Sequence, residues 1–392
     1  MTPQPSATYP ATYPVIVLGA GPAGLSVAYE LLKRGITPLV LEKGPTPGAS
    51  FASFPRNIFF GPWLNNLLPG SSIDRASLLK RSTQPAYSKY LRDYARQNRL
   101  PVKCGIEVNS VTRDEKGFRL QTSAGEFRSH LLVNCTGYFT RPYTPNFPGI
   151  DTTGVAHMHV SKYRDANTVI EQLHRRAGRI LVVGKRLSAG ETLVELHKAG
   201  FQVALSYRGE LRFGPTAWGE ALFSPLNWIA ERFSLALRVH RHSYPLMAGG
   251  DSRRLIKTGQ VATFSNIARF NDHSVTFEDG REERFDLVIF ATGYRAAMAH
   301  LESLLGPQSK EPKLENMEST EVPDLFFLGV DQQRTYRSRF LRGIVEDSSL
   351  LAELVARRAQ GLPVPRRELP AEVVSDKISA PLINLLGLFF YC

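Results

Sequence analysis

The stretch Pro14-Val-Ile-Val-Leu-Gly19-Ala-Gly21-Pro-Ala-Gly24 decides the fold, because it joins an apolar strand to a glycine turn that opens a helix. Gly19 permits a tight turn, Gly21 lets the backbone approach a pyrophosphate, and Gly24 lets the helix pack against the sheet. The free amides at the helix N-terminus then face the anion. The next apolar run ends at Glu42, whose carboxylate would bind ribose hydroxyls. The stretch therefore predicts a dinucleotide-binding unit.

The same pattern occurs twice in this chain. The first copy closes on an apolar strand that ends in Thr136-Gly137-Tyr138. The second copy opens on Ile180-Leu-Val-Val-Gly184 and closes on Thr292-Gly293-Tyr294, after a gap of similar length. Alternating segments predict a small β-meander within each copy. The repeat predicts an α/β fold with two Rossmann-like dinucleotide-binding domains, the second inserted in the first. Two dinucleotides imply electron transfer between them, which favours a flavoprotein.

The glycine turn of the second copy is altered. Arg186 stands at the second glycine position, where it would either pair with a pyrophosphate or occupy its space. Arg208 ends the following strand where an acid would sit in an NAD site, and an arginine there suits a ribose 2′-phosphate. Two interpretations stay open: an NADPH site, or a domain that keeps its fold without a nucleotide. The predicted contacts of this site are Gly184, Arg186, Ser188, Ser206, Arg208, Thr292 and Gly293.

Composition narrows the class of protein. The net charge of +12 is accompanied by no nucleic-acid recognition pattern, so anionic cofactors or an anionic surface explain it more simply. The N-terminus lacks the features of a secretory signal. The chain has three cysteines, Cys104, Cys135 and Cys392, with no Cys-x-x-Cys pair. This favours a reducing, cytoplasmic location and argues against a dithiol reductase. We also expect no metal site, since ligand residues do not cluster.

Several motifs together carry a family resemblance. They are Gly19-Ala-Gly-Pro-Ala-Gly24, Glu42, Thr136-Gly137, Gly184 with Ser188-Ala189, Ala291-Thr292-Gly293-Tyr294 and Leu325-Phe-Phe-Leu-Gly329. The chain resembles class B flavoprotein monooxygenases, the flavin-containing monooxygenase-like branch of the two-domain FAD/NAD(P) oxidoreductases. The resemblance implies FAD in the first domain and NADPH in the second. It further implies that NADPH reduces FAD, and that O₂ then forms a peroxyflavin that inserts one oxygen atom into a small, lipophilic organic substrate.

The resemblance also implies site residues. Asn65 or Asn66 falls where the family has an asparagine at the reaction centre, although an asparagine in such a loop is equally often a turn residue. His159 and Tyr163 keep the His-x-x-x-Tyr part of a family fingerprint, whose phenylalanine is missing here and whose glycine lies one residue further away. Asp331 resembles the acid that binds the ribityl chain of the flavin. Four arginines follow within a few residues: Arg334, Arg337, Arg339 and Arg342. They either lie in solvent at the start of a helix or bind an anionic substrate.

The domain boundaries follow from the two repeats. We expect residues 1–150 and 296–370 to form the FAD-binding domain and residues 151–295 to form the NADPH-binding domain. Residues 213–247 read as an aromatic, helical insertion that could wall a substrate pocket. The apolar tail, residues 371–392, is shorter than the ~20 residues that span a bilayer, so it packs on the core, a dimer partner or a membrane surface. Within the first domain we expect a helix from Ser82 to Asn98. Within the second domain we expect a meander strand around Val261–Ala268.

Two other functions compete with the monooxygenase. One is an FAD oxidase or dehydrogenase whose second nucleotide site is degenerate, so that the substrate itself reduces the flavin. The other is a flavin-binding sensor or assembly protein without catalysis. The sequence does not name the substrate, because one fold hosts many chemistries.

Overall fold

The computed structural model describes residues 12–56, 58–214, 246–247, 249–307, 312–331, 333–334 and 337–362. The helices are α1 Pro22–Lys33, α2 Ala49–Ala52, α3 Gln84–Gln97, α4 Ala166–Leu173, α5 Leu187–Lys198, α6 Asp251–Lys257, α7 Glu302–Leu305 and α8 Leu341–Ala359. The first ten strands are β1 Thr12–Leu18, β2 Leu39–Glu42, β3 Phe59–Pro62, β4 Arg81–Thr83, β5 Val102–Cys104, β6 Val108–Asp114, β7 Gly117–Thr122, β8 Gly125–Asn134, β9 Ala156–His159 and β10 Arg179–Val183. The others are β11 Gln202–Ser206, β12 Ala262–Phe264, β13 Ile267–Phe270, β14 Val275–Phe277, β15 Glu282–Glu283, β16 Leu287–Phe290, β17 Leu314–Glu315, β18 Glu318–Ser319 and β19 Leu325–Phe327.

The first large sheet has a parallel centre in the order β19-β8-β1-β2-β5. Both faces of β1 are buried, because Val15 and Val17 belong to one core cluster and Ile16 and Leu18 to another. This double burial explains the uninterrupted apolar run in the sequence. α1 and α8 pack together on the Val15 side, and the β6-β7-β8 meander extends the sheet.

The second large sheet is parallel in the order β12-β11-β10-β16-β9. Its own meander, β13-β14-β15, forms a separate antiparallel sheet. The expected meander strand around Val261–Ala268 is therefore wrong in one respect. The segment divides into β12, which extends the parallel sheet, and β13, which starts the meander. The expected helix from Ser82 to Asn98 is confirmed as α3, which begins after Thr83.

The two copies repeat each other at the level of single hydrogen bonds. Gly19 N–H donates to Leu41 O (2.8 Å), and Gly184 N–H donates to Ser206 O (2.9 Å). Both glycines have positive φ, 94° and 150°, and an added Cβ would collide with backbone of the neighbouring strand end. Each first glycine is thus required by the turn itself. β9 to β12 and β16 form the second large sheet, and β17 to β19 return to the first, which confirms two Rossmann-type folds, the second inserted in the first.

Two expected features fall mainly outside the residues that the structure describes. The aromatic insertion at 213–247 is described only at its ends, and the tail at 371–392 is not described. Within the described ranges, no helix is both long and apolar enough to cross a membrane.

Candidate active site

A single cavity of about 1610 Å³ lies where the carboxyl ends of both large sheets meet. Gly19 and Gly21 of the first turn line it, and so do Gly184 and Arg186 of the second. The volume exceeds the roughly 300–1,000 Å³ of a site for one small ligand. Among the described residues, its wall carries nine basic and four acidic side chains, so the cavity is suited to polyanions.

The first turn leaves space that no part of the protein fills. Gly21 precedes α1 with an extended backbone (φ −79°, ψ −174°), and a Cβ added there would meet no atom within 4 Å. A Cβ on Gly24 would instead lie 1.8 Å from Gly19 O. Gly24 is therefore required by helix packing, whereas the bare backbone at Gly21 opens towards the cavity. That opening at a helix N-terminus fits a pyrophosphate.

Glu42 lies at the end of β2 and lines the cavity. Its Oε2 accepts a hydrogen bond from Ala20 N–H and its Oε1 accepts one from Gly44 N–H, both at 2.7 Å. The turn and the strand end thus fix the carboxylate in place. Each oxygen keeps further acceptor capacity, so the geometry suits the ribose hydroxyls expected from the sequence.

The second turn keeps the backbone of the first while changing its side chains. Arg186 is exposed, precedes α5 with an extended backbone, and lines the cavity together with Ser188. Ser206 Oγ donates a hydrogen bond to Ser265 O (2.7 Å), so this hydroxyl is engaged with the backbone of the protein itself. Arg208 is exposed and lines the cavity. It does not stand at the position of the acid of an NAD site, where the sequence analysis placed it. Because Ser206 O occupies the position of Leu41 O, Tyr207 corresponds to Glu42 and Arg208 comes one residue later.

The two Thr-Gly sequences connect the halves of the protein. Thr136 Oγ1 donates to Ala297 O (2.7 Å), in the segment that follows the second copy. Thr292 Oγ1 donates to Tyr143 O, in the segment that follows the first. The backbones of Gly137 and Gly293 accept from Ala297 N–H (3.0 Å) and Tyr143 N–H (2.9 Å). These residues line the cavity, yet their hydroxyls hold the two crossover segments together.

Aromatic rings cover the cavity wall beside this junction. Phe54 packs on Phe139 with centroids 4.7 Å apart, and Phe139 packs edge-on against Tyr294 at 5.4 Å. Phe51 and Phe60 continue the same layer. Sequence reasoning did not identify this layer, although the density of phenylalanine between residues 51 and 60 was a signal for it.

His159 and Tyr163 lie behind the cavity wall and do not line it. His159 bonds Gly293 O through Nε2 (3.0 Å), and its Nδ1 accepts from Ser161 N–H (3.0 Å). Both ring nitrogens are thus engaged, and burial lowers the pKa of His159. Tyr163 is fully buried and donates to Glu195 on α5 (2.5 Å), where burial raises the pKa of the tyrosine. This arrangement favours positioning of the Gly293 loop and α5 over contact with reactants.

The other predicted contacts differ in their access to the cavity. Asn65 and Asn66 both line it, but Asn66 is buried and its Nδ2 donates to Gly61 O (2.7 Å) and Ser82 Oγ (2.8 Å). Asp331 does not line the cavity; it forms an ion pair with Arg339 at 3.0 Å.

The arginine cluster divides into two groups. Arg339 and Arg342 reach the cavity wall. Arg334 instead pairs with the buried Asp347 of α8 (2.6 Å). Arg337 pairs with Glu346 of α8 (3.3 Å), so these two arginines are tied to the fold.

Two further observations complete the chemistry of the site. His300, which the sequence did not single out, lines the cavity, bonds Asn134 Oδ1 through Nε2 (2.9 Å), and has its pKa lowered to about 4 by burial.

Cys104 and Cys135 are free thiols, and burial raises the pKa of each. Cys392 lies outside the described residues, and within those residues no group of three potential metal ligands comes together.

Two Rossmann-type folds that face one cavity define the class of the protein as a two-domain dinucleotide-binding oxidoreductase. Residues 16–329 match the sequence profile of the pyridine nucleotide-disulphide oxidoreductase family, and the chain belongs to that family. It is a flavin-dependent oxidoreductase, and its resemblance to flavoprotein monooxygenases is confirmed by the relatives that follow.

The chain is 26% identical to an uncharacterised CzcO-like oxidoreductase of Geobacillus kaustophilus, over 86% of this chain and 96% of the relative. It is 29% identical to the indole-3-pyruvate monooxygenase YUCCA6 of Arabidopsis thaliana, over 73% of this chain and 76% of that one. A flavin-containing monooxygenase structure from Stenotrophomonas maltophilia superposes with a TM-score of 0.73 at 21% identity, covering 88% of this chain and 99% of the other. That likeness shows the fold.

Proposed function

We propose that this protein is an FAD-dependent, NADPH-using monooxygenase that inserts one oxygen atom of O₂ into a small, lipophilic organic substrate. The observation that carries the proposal is the one cavity that both glycine turns line. Two dinucleotides in one cavity can bring a nicotinamide ring and a flavin ring into contact, which hydride transfer requires. The similarity to an indole-3-pyruvate monooxygenase supports oxygen insertion as the reaction.

The first turn would hold FAD. The open backbone at Gly21 accepts the pyrophosphate against the N-terminus of α1, with Gly19 forming the turn and Gly24 the helix contact. Glu42, fixed by two amides, binds the adenosine ribose. Thr136 and Gly137 shape the wall beside it.

The second turn would hold NADPH. Gly184 and Ser188 flank the N-terminus of α5, and the Arg186 guanidinium pairs with the pyrophosphate. Arg208 takes the ribose 2′-phosphate at the end of β11. The excess of basic side chains on the cavity wall balances the phosphates of two dinucleotides.

The junction of the two crossovers would be the reaction centre. The bound cofactors supply hydride transfer and the two-electron activation of O₂. The Phe54–Phe139–Tyr294 layer excludes water and packs on a lipophilic substrate. Asn65 is the better placed of the two asparagines to present an amide there, because Asn66 is committed to Gly61 and Ser82.

His159, Tyr163 and Asp331 act in this proposal through other residues. His159 fixes the Gly293 loop, Tyr163 fixes α5, and Asp331 holds the cavity-lining Arg339. Thr292 and Gly293 connect the two halves. The expected domain boundaries, and a membrane or dimer contact through residues 371–392, stay predictions.

The test is coupled turnover with isotopically labelled O₂. Flavin-loaded protein is mixed with NADPH and a panel of lipophilic amines, thioethers and ketones, and the product is analysed by mass spectrometry. One labelled oxygen atom per product, with one NADPH consumed, is expected for at least one substrate class. The Gly21→Ala variant, in which we expect weakened FAD binding, serves as a control. NADPH oxidation that ends only in hydrogen peroxide with every substrate would overturn oxygen insertion.

A second candidate is a flavoenzyme that its substrate reduces directly, without a nicotinamide. The observation that favours it is Arg186, an exposed arginine at the position that Gly21 keeps bare. In that case the guanidinium would block the nucleotide path. The Arg186→Gly variant distinguishes the two candidates, because it would speed flavin reduction by NADPH only if the arginine blocks the site.

A further inference from the structure

His300 is a buried histidine on the wall of the large cavity, and the proposed reaction does not use it. It follows the second copy in the chain, in the segment that returns to the first domain. Its Nε2 bonds Oδ1 of Asn134 (2.9 Å), the last residue of β8. Because an amide oxygen only accepts hydrogen bonds, Nε2 carries the proton of the ring. Burial lowers the pKa of His300 to about 4, so the ring is neutral and Nδ1 is an acceptor.

This Nδ1 is an unpaired acceptor at the cavity. It makes no hydrogen bond with any residue that the structure describes, and it is not among the fully buried side-chain atoms that lack a partner. Since His300 lines the cavity, the accessible surface of Nδ1 lies there. A hydroxyl group can donate to such a nitrogen. A pyrophosphate oxygen cannot, because it is itself an acceptor at neutral pH. The site therefore suits a hydroxyl of the ligand.

The order of the strands places this histidine relative to a dinucleotide in the first turn. β1 leads into the turn, and β2, which ends in Glu42, lies on one side of β1. β8 lies on the other side, where Asn134 is paired with Leu18 of β1 and with Phe327 of β19. A dinucleotide with its adenosine at Glu42 and its pyrophosphate at the turn therefore continues across the end of β8. Neighbouring strands lie about 4.8 Å apart, so the group directly beyond the pyrophosphate reaches β8. In FAD that group is the ribityl chain, which carries hydroxyls.

A carboxylate does not take this position among the residues that the structure describes. The acidic side chains that line the cavity are Glu42, Glu107, Glu191 and Asp251, and none of them follows β8 or β19. Asp331 is the acid that the family resemblance assigns to the ribityl chain. It does not line the cavity, and it forms an ion pair with Arg339 (3.0 Å). The imidazole of His300 is thus the acceptor that the fold brings to the end of β8.

We propose that His300 binds the flavin cofactor, with Nδ1 accepting a hydrogen bond from a ribityl hydroxyl of FAD in place of Asp331. The inference rests on the proposed function in one respect, because it assumes that FAD occupies the first turn. Asn134 is the positioning residue, since its amide oxygen holds the ring and fixes the tautomer.

The experiment compares FAD with analogues that lack one ribityl hydroxyl. FAD is removed from the full-length protein, and wild type, His300→Gln and His300→Asn are each titrated with FAD and with its 2′-, 3′- and 4′-deoxyribityl analogues. Wild type should bind one of the analogues about three- to tenfold more weakly than FAD, as expected for one lost hydrogen bond. His130→Gln is the matched control, since His130 is an exposed histidine of β8 that does not line the cavity.

The two substitutions of His300 separate a binding role from a structural one. Glutamine keeps a donor near the position of Nε2 but removes the acceptor at Nδ1, so His300→Gln should bind FAD as weakly as it binds that analogue. Asparagine places its amide oxygen near the position of Nδ1, so His300→Asn should keep part of the preference for FAD. If His300→Gln keeps the full preference, or weakens all four ligands by the same factor, the contact is overturned. Equal binding of FAD and every analogue by wild type would overturn it as well.

The outcomes also separate this contact from the proposed function. If NADPH reduces the wild-type flavin but His300→Gln still prefers FAD over the analogue, only the contact fails. If the preference depends on His300 and NADPH leaves the flavin oxidised, the proposed function fails and the contact stands.

Discussion

Gly21 and Arg186 occupy the same place in the two turns, each directly before a helix and each with an extended backbone. Their φ and ψ are −79° and −174° for Gly21, and −124° and −170° for Arg186. Neither conformation requires glycine, so the turn itself tolerates a side chain at this position. The difference between the residues thus bears on what each turn can bind, and substitution at either position tests binding with little effect on folding.

Gly21→Ala should weaken FAD binding while leaving the protein folded. Its Cβ would meet no protein atom within 4 Å but would enter the phosphate path, so FAD affinity should fall at least about tenfold. Gly24→Ala is the contrasting variant, because its Cβ would lie 1.8 Å from Gly19 O and should destabilise the fold by about 1–3 kcal/mol or more. Flavin absorbance per protein and thermal unfolding separate the two effects. Full FAD content in Gly21→Ala would contradict the assigned pyrophosphate position.

Arg186→Ala should weaken NADPH and NADH alike, because both carry the pyrophosphate with which we pair the guanidinium. Loss of a charge-assisted contact should cost about 1.5–3 kcal/mol in binding. Kd values from titration of flavin-loaded protein provide the measurement, with Arg269→Ala as control. Arg186→Gly should also impair flavin reduction. Faster reduction in Arg186→Gly would mean that the arginine blocks the site, which supports the nicotinamide-independent alternative.

The sequence predicted the parts of the fold that depend on local rules. The two glycine turns, the buried parallel strands and the inserted order could be read because each rests on a short motif repeated in one chain. The register of Arg208 could not be predicted. The residue of the second copy that is equivalent to Glu42 depends on which carbonyl accepts the hydrogen bond from Gly184 N–H. That hydrogen bond is a tertiary feature with no sequence signature.

Side-chain roles were less predictable than positions. Thr136, Thr292 and Ser206 were expected to contact nucleotides, but their hydroxyls donate to backbone carbonyls from distant segments. His300 and the phenylalanine layer reach the cavity only because the crossover segments fold over it. These three hydroxyl contacts join residues 59 to 161 positions apart, and contacts at such separations leave no periodic pattern in the chain.

Acid should destabilise the protein through His300. Its pKa is lowered from 6.5 to about 4 by burial, so the unfolded chain binds a proton there before the folded protein does. The free energy of unfolding should therefore fall by roughly 1–3 kcal/mol as the pH drops through this window, and burial of His159 acts in the same direction. Urea unfolding of wild type and His300→Gln at about pH 7.5 and about pH 5 measures the difference. An equal acid loss in both proteins would show that His300 is not the cause.

Replacement of all three cysteines by serine should leave flavin reduction and reoxidation nearly unchanged. Burial raises the pKa of Cys104 and of Cys135, which disfavours a reactive thiolate, and the two form no disulfide. Some stability loss is expected from the buried Cys135, about 1–3 kcal/mol for an unpaired hydroxyl. The rates of flavin reduction and reoxidation are measured by stopped-flow absorbance of the flavin-loaded triple variant. Lost electron transfer in a folded, flavin-loaded variant would point to thiol chemistry.

Whether FAD and NADPH share the cavity is tested by anaerobic mixing of flavin-loaded protein with NADPH while the flavin absorbance is followed. We expect the yellow colour to bleach, the rate to saturate with NADPH, and NADH to be the poorer reductant. The variant Arg208→Gln should remove that preference. A flavin that stays oxidised with NADPH, yet bleaches with dithionite, would contradict the central claim that the two turns hold FAD and NADPH in one cavity.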